Sequence, residues 1–165
     1  MCYSCPVRLL LRAVATVFGL YARARDGLRK AWYRANGIVI GEATYISPGA
    51  FLDTHKPGRI VIGRNCYVTR NVVVLCHTDT RKGGPQSAWA ALGGAREFGD
   101  VTIGDNVFIG VNSVVMPGVT IGDDAIIGAL TLVDRDIPAG KVAVGTPARL
   151  VGDTRDHVVR ADRVS

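Results

Sequence analysis

From Ile40 onward an aliphatic residue returns every six positions, usually followed by glycine. The first block reads IGEATY, ISPGAF, LDTHKP, with Ile40, Ile46 and Leu52 in phase. After a slip of four residues come IGRNCY, VTRNVV and VLCHTD, on Ile62, Val68 and Val74. A long interruption follows. IGDNVF, IGVNSV, VMPGVT, IGDDAI, IGALTL and VDRDIP then run in phase on Ile103, Ile109, Val115, Ile121, Ile127 and Val133. The fifth position of most of these twelve hexads is small or β-branched: Thr44, Ala50, Cys66, Val72, Thr78, Val107, Ser113, Val119, Ala125, Thr131. Neither a 3.6-residue nor a 2-residue period produces six. A short strand followed by a turn does, if each hexad forms one flat side of a prism and successive windings of the chain stack. The phase predicts an all-β, parallel β-helix of four coils, 40–57, 62–79, 103–120 and 121–138, with the aliphatic residue pointing inward. Gly-Asp-Asn and Pro-Gly pairs are expected at the corners, where positive φ is often needed.

Composition agrees with repeated tight turns and thin packing layers. There are 20 Gly against four Phe, two Trp and five Tyr in 165 residues, a length that suits one domain with a real core. The net charge of +6 belongs to residues 1–37; beyond them acidic and basic groups balance. The body therefore has no basic stripe and no nucleic-acid motif, so no nucleic-acid partner is expected. Within the leader, Arg8, Arg12, Thr16, Gly19 and Arg23 share one helical face while Leu9, Leu10, Val14, Val17 and Phe18 cover the rest. That pattern predicts a basic amphipathic helix, able to lie on anionic lipid or on a partner, rather than a span. A signal peptide is the competing reading of the run Ala13 to Tyr21. The expected organisation is a helical leader (1–37), a β-helix domain (38–144) with an excursion loop over 80–101, and a C-terminal segment and tail (145–165).

The cysteines do not suggest a disulfide framework. Cys2 and Cys5 form a lone CxxC without companions, and Cys66 and Cys76 lie in apolar runs where a free thiol acts as a small hydrophobe. A reducing, cytoplasmic setting fits.

The run VTIGDNVFIGVNSVVMPGVTIGDDAIIGA, continued by VDRDIPAGKVAVGTPARLV, resembles the coenzyme A-binding end of the hexapeptide-repeat acyltransferases. It is similar above all to the maltose, galactoside and capsular-polysaccharide O-acetyltransferases, over about residues 38–151. The resemblance implies a left-handed helix, a homotrimer with active sites between neighbouring prisms, and acetyl-CoA as acyl donor with no metal. It also implies a catalytic histidine just before a loop that leaves the helix, and His77 in VVVLCHTD occupies that place. It matches Asp53 to a residue that touches acceptor sugar, and Val111, Ala129, Arg135 and Arg149 to the coenzyme A site. Phe108, Val111 and Gly152 differ from the residues common at those positions in relatives.

The chemistry is consistent with that assignment. A neutral hydroxyl attacks a thioester slowly, and imidazole can take its proton near neutral pH. Asp79 or Glu97 can orient the histidine, or cap a corner and face solvent respectively; Asp53 can equally serve as a turn former. His55, in the corner-like THKPG, and His157, in a charged tail, are expected to be bystanders. Acetyl-CoA chemistry favours a cytoplasmic enzyme over a secreted one, with the leader giving peripheral contact at the inner membrane face. Two other readings share the pattern: a non-catalytic β-helix scaffold, and a γ-carbonic-anhydrase-like protein. The latter needs three zinc-binding histidines across adjacent coils, and the coils after His77 contain none.

Overall fold

Each hexad contributes a strand of two or three residues, long enough to point one aliphatic side chain inward and its neighbour outward. The computed structural model describes residues 24–79 and 96–156, with only the backbone of Asp79, Arg96 and Glu97. The first coil comprises β1 (Val39–Ile40), β2 (Tyr45–Ile46) and β3 (Phe51–Leu52), and the second β4 (Ile60–Ile62), β5 (Tyr67–Val68) and β6 (Val73–Val74). The excursion begins and ends in a two-stranded ribbon, β7 (His77–Asp79) and β8 (Arg96–Phe98). The third coil is β9 (Val101–Ile103), β10 (Phe108–Ile109) and β11 (Val114–Val115), and the fourth β12 (Thr120–Ile121), β13 (Ile126–Ile127) and β14 (Leu132–Val133). A closing pair, β15 (Lys141–Val144) and β16 (Arg149–Asp153), follows.

Equivalent strands stack into three faces, ordered β1-β4-β9-β12, β2-β5-β10-β13-β15-β16 and β3-β6-β11-β14. Every pair within the coils is parallel, and the registers align the hexad positions. Ile40, Ile62, Ile103 and Ile121 form one column; Ile46, Val68, Ile109 and Ile127 a second; Leu52, Val74, Val115 and Val133 a third. All twelve are buried, as are the fifth-position residues from Thr44 through Thr131 except Thr78. Thr78 was expected in phase, but it lies in the antiparallel ribbon, and Cys76 takes the buried place after Val74. Burial of each Ile, Leu or Val stabilises by about 1.5–3 kcal/mol, gained only when the next coil covers it.

The corners divide their work between two residue types. In the IGRN and IGDN corners the positive φ falls on the asparagine, at 55° in Asn65 and 58° in Asn106, with Asp124 of IGDD at 57° one coil further. Their side chains join in a ladder: Asn65 Nδ2 donates to Asn106 Oδ1 (2.9 Å), and Asn106 Nδ2 to Asp124 Oδ1 (3.0 Å). The glycine serves a different need. A Cβ on Gly41 would lie 2.5 Å from the backbone of Gly63 in the coil above, so the chain could not approach so closely. The Pro-Gly corner does use a positive glycine φ, 83° at Gly118.

Both ends of the stack are covered. The chain forms two compact units that meet at Trp32/Tyr33, so the β-helical unit begins at Tyr33, inside the expected leader of residues 1–37. Tyr33 is buried beside the first coil; its hydroxyl donates to Ala50 O (3.3 Å) and accepts from Leu52 N (3.4 Å). At the other end β16, within the segment read as tail, returns antiparallel on β15, so an irregular hairpin closes that sheet. In the first unit, residues 24–32 are helical, with an Arg29–Asp26 ion pair of 3.1 Å. The amphipathic face from Arg8 to Arg23 lies outside the described residues. Among the described residues no helix is long and apolar enough to cross a membrane.

Candidate active site

The hexad rhythm breaks twice, and both breaks follow the same face. The four-residue slip comes after β3, and the excursion comes after β6, which pairs directly with β3. Leu52 is in register with Val74, so residues three positions beyond each, His55 and His77, are equivalent in successive coils. The two irregular corners thus lie one above the other. Freed from the regular turn, they hold side chains that the prism would otherwise turn outward.

Asp53 is the centre of this corner. Its backbone N–H donates to Val74 O (2.9 Å), and the residue is buried. Oδ1 accepts from the His55 backbone N–H (3.0 Å) and is 2.8 Å from His55 Nδ1. Oδ2 accepts from Cys76 N–H (3.2 Å) and is bonded to Nδ1 of His77. Burial by itself would raise the pKa of this carboxyl. The hydrogen bonds from the His55 ring and backbone, from His77 and from Cys76 outweigh burial and hold Asp53 well below the usual carboxylate range. An ionised carboxylate only accepts, so each imidazole carries its hydrogen on Nδ1 and, when neutral, leaves Nε2 as a free base.

His77 is largely covered, with 18% of its side chain exposed, whereas His55 is 56% exposed. Their rings are 4.0 Å apart between centroids and tilted by 35°. Phe98, paired with His77 across the ribbon, stacks at 6.0 Å. Cys76 lies beneath. Its thiol donates to His55 O (3.2 Å), and burial, then the neighbouring Asp53 charge, pushes it up to about 12. Asp53, Cys76 and His77 each offer a metal-type ligand atom within 4.8 Å of the others. Both carboxylate oxygens, however, already have donors and the thiol keeps its proton, so the cluster is arranged as a hydrogen-bonded network.

Of the residues singled out in the sequence, Asp53 and His77 are brought together. Asp53 does form the expected turn, through His55 N–H, and it also orients His77. Thr78 and Asp79 of β7 pair with Glu97 and Arg96 of β8, but the side chains of Asp79 and Glu97 lie outside the described residues. On the other corners, Val111 and Ala129 are exposed, and Val111 O accepts from Leu130 N–H (2.9 Å) one coil on. Arg135 is exposed and ion-paired with Asp134 (3.0 Å), and Arg149 opens β16 with an exposed side chain. His55, expected to be a bystander, instead bonds Asp53 through both its ring and its backbone. The signal was present in its phase, three residues after Leu52 as His77 is three after Val74.

The family model for "Bacterial transferase hexapeptide (six repeats)" matches residues 100–135. Protein CapG of Staphylococcus aureus is 33% identical over 129 residues, covering 78% of this chain and 70% of CapG. The chain belongs to the hexapeptide-repeat acyltransferase family. Its coil is the left-handed parallel β-helix of that family. A putative acetyltransferase of Bacillus subtilis (strain 168), YvoF, is 33% identical over 114 residues, 69% of this chain and 59% of YvoF, so the chain spans less than two thirds of that relative. The solved galactoside acetyltransferase in complex with coenzyme A superposes with a TM-score of 0.52 at 27% identity, over 72% of this chain and 66% of that one.

Proposed function

We propose that this chain is an acetyl-CoA-dependent O-acetyltransferase that acylates a hydroxyl of a sugar or polysaccharide precursor, with His77 as general base. The observation that carries this reading is the bond between His77 Nδ1 and the buried Asp53 carboxylate. Asp53 fixes the tautomer, so that Nε2 of His77 faces the acceptor as a base. Nε2 takes the hydroxyl proton as the oxygen attacks the thioester carbonyl. The tetrahedral intermediate then collapses, the carbon–sulfur bond breaks, and the proton passes from Nε2 to the coenzyme A sulfur. The developing imidazolium is stabilised by the Asp53 charge in a largely covered position.

Acetyl-CoA is a substrate in this scheme, not a resident cofactor. Val111 and Ala129 expose short side chains at adjacent corners, where pantetheine can run close to the coils, and Arg135 and Arg149 supply guanidinium groups for its phosphates. The likeness to the galactoside acetyltransferase in complex with coenzyme A supports the sugar class. A homotrimer, with each cleft walled by two neighbouring prisms, belongs to the same reading, as does a cytoplasmic location with the basic leader against anionic lipid.

The test is thiol release from acetyl-CoA across a panel of sugars and sugar nucleotides, with mass spectrometry of the acetylated product. His77→Ala should lower kcat by about 10²–10⁴-fold without loss of the fold. Activity within threefold of the unmodified protein would refute the base, and no release with any acceptor would favour a scaffold.

A further inference from the structure

His55 is unexplained by the reaction just described. It is not needed to orient His77, because Asp53 Oδ2 does that, yet it occupies the other oxygen of the same carboxylate through both its backbone and its ring. It also sits with its ring 4.0 Å from the His77 ring, in the equivalent position of the coil below.

We propose that His55 is a positioning residue of the base: by sharing the Asp53 carboxylate it makes the two histidines one coupled proton-binding unit, in which the proton occupancy of His55 governs how readily His77 accepts a proton. This rests on the reading of His77 and Asp53 as the base. Asp53 carries one negative charge and serves two imidazoles, each donating Nδ1–H. The first proton taken up at either Nε2 is neutralised by that charge. A second would place two cations on neighbouring, tilted rings over one carboxylate, so the steps separate and belong to the pair rather than to either ring.

Among the described side chains, the groups facing the pair are few. Asp53 and His55 come from the corner after β3, Cys76 and His77 from the corner after β6, and the β8 ribbon strand offers the uncharged ring of Phe98. Cys76 keeps its proton at neutral pH, and the Lys56 chain runs toward Gly37. Among the described side chains, Asp53 is therefore the charge that both rings share.

The consequence is an internal limit on base strength. A neutral His55 already withdraws part of the carboxylate through its hydrogen bond, which weakens the hold of Asp53 on a protonated His77. A protonated His55 opposes it directly. Both effects act through the one carboxylate that holds the two rings.

The experiment is an NMR titration of the histidine ring Cε1–H signals in the full chain, with His157→Gln as background so that two signals remain. In that protein the His77 signal should move in two steps, or over a range at least about one pH unit wider than a single site, with the His55 signal sharing its inflections. His55→Gln keeps a side-chain donor for Asp53 but cannot titrate, so His77 should then follow a one-step curve. His55→Ala removes the donor as well, and the midpoint should move to higher pH than in His55→Gln, by about half a pH unit. If His77 follows the same one-step curve in all three proteins, the sharing is refuted. Should His55→Ala fail to fold, the comparison with His55→Gln decides alone. Because the readout is proton binding and not turnover, it fails or succeeds independently of the loss of activity in His77→Ala.

Discussion

His77 and Asp53 are 24 residues apart in the chain and bonded side chain to side chain, Nδ1 to Oδ2. The link crosses from one coil to the next, so the proposed base is oriented only when the second coil has docked on the first. Stacking register, burial of the carboxylate and orientation of the imidazole are one structural event. Changes at this corner should therefore move stability and activity together, while changes elsewhere in the stack should separate them.

Asp53→Asn tests that link. The folded pKa of Asp53 lies below its unfolded value, so its contribution to stability is complete above the unfolded value of ~3.9 and is lost as pH falls from there through the folded value. Asn keeps the shape but brings an N–H donor to a site already filled by donors. The variant should be less stable at pH 7 by about 1–3 kcal/mol. Its stability should fall less than that of the unmodified protein between pH 5 and pH 2, and kcat should drop by about 10²-fold or more. Urea unfolding at several pH values, beside thiol release, checks both; parallel stability–pH curves would contradict the assigned charge.

The donor site is tested by Arg135→Ala with Arg149→Ala. Each guanidinium offered to a phosphate is a charge-assisted contact, so the double variant should bind coenzyme A at least about tenfold more weakly. Its affinity should also depend less on salt. Calorimetry with coenzyme A at two ionic strengths measures both, and unchanged affinity and salt response would move the donor site elsewhere.

The asparagine ladder is purely structural and should behave so. Asn106→Ala puts a Cβ-bearing residue without a polar side chain at φ 58° and removes the bonds to Asn65 and Asp124. A loss of about 1–3 kcal/mol is expected in chemical denaturation, against about 0.5 kcal/mol or less for Thr102→Ala on an outward strand position.

Assembly gives a test that a monomer cannot pass. Light scattering should report three times the chain mass of 17.5 kDa. Mixing inactive His77→Ala chains with chains altered at both Arg135 and Arg149 should then restore activity, since some mixed trimers hold one intact cleft. A monomer that still turns over acetyl-CoA would refute the shared cleft.

The sequence by itself determined the period, the twelve inward aliphatic residues and the identity of the corners, because each is a local choice repeated along the chain. It also marked His77, since a histidine at the point where the rhythm stops stands out. What it left open is how the two irregular corners meet. Asp53 had a turn and an acceptor contact as candidate roles, and His55 had none, because residues 22 or 24 positions apart become neighbours only once stacking has set the register of β3 against β6. The four-residue slip and the excursion both occur after that face, so the two breaks superpose, and their side chains gather around one buried carboxylate. Thr78 failed its phase for the same reason: antiparallel pairing with β8 had replaced the coil. Local sequence can specify a repeat unit, because each unit is made within six residues. It cannot specify the site, because the site is made by the contact between units.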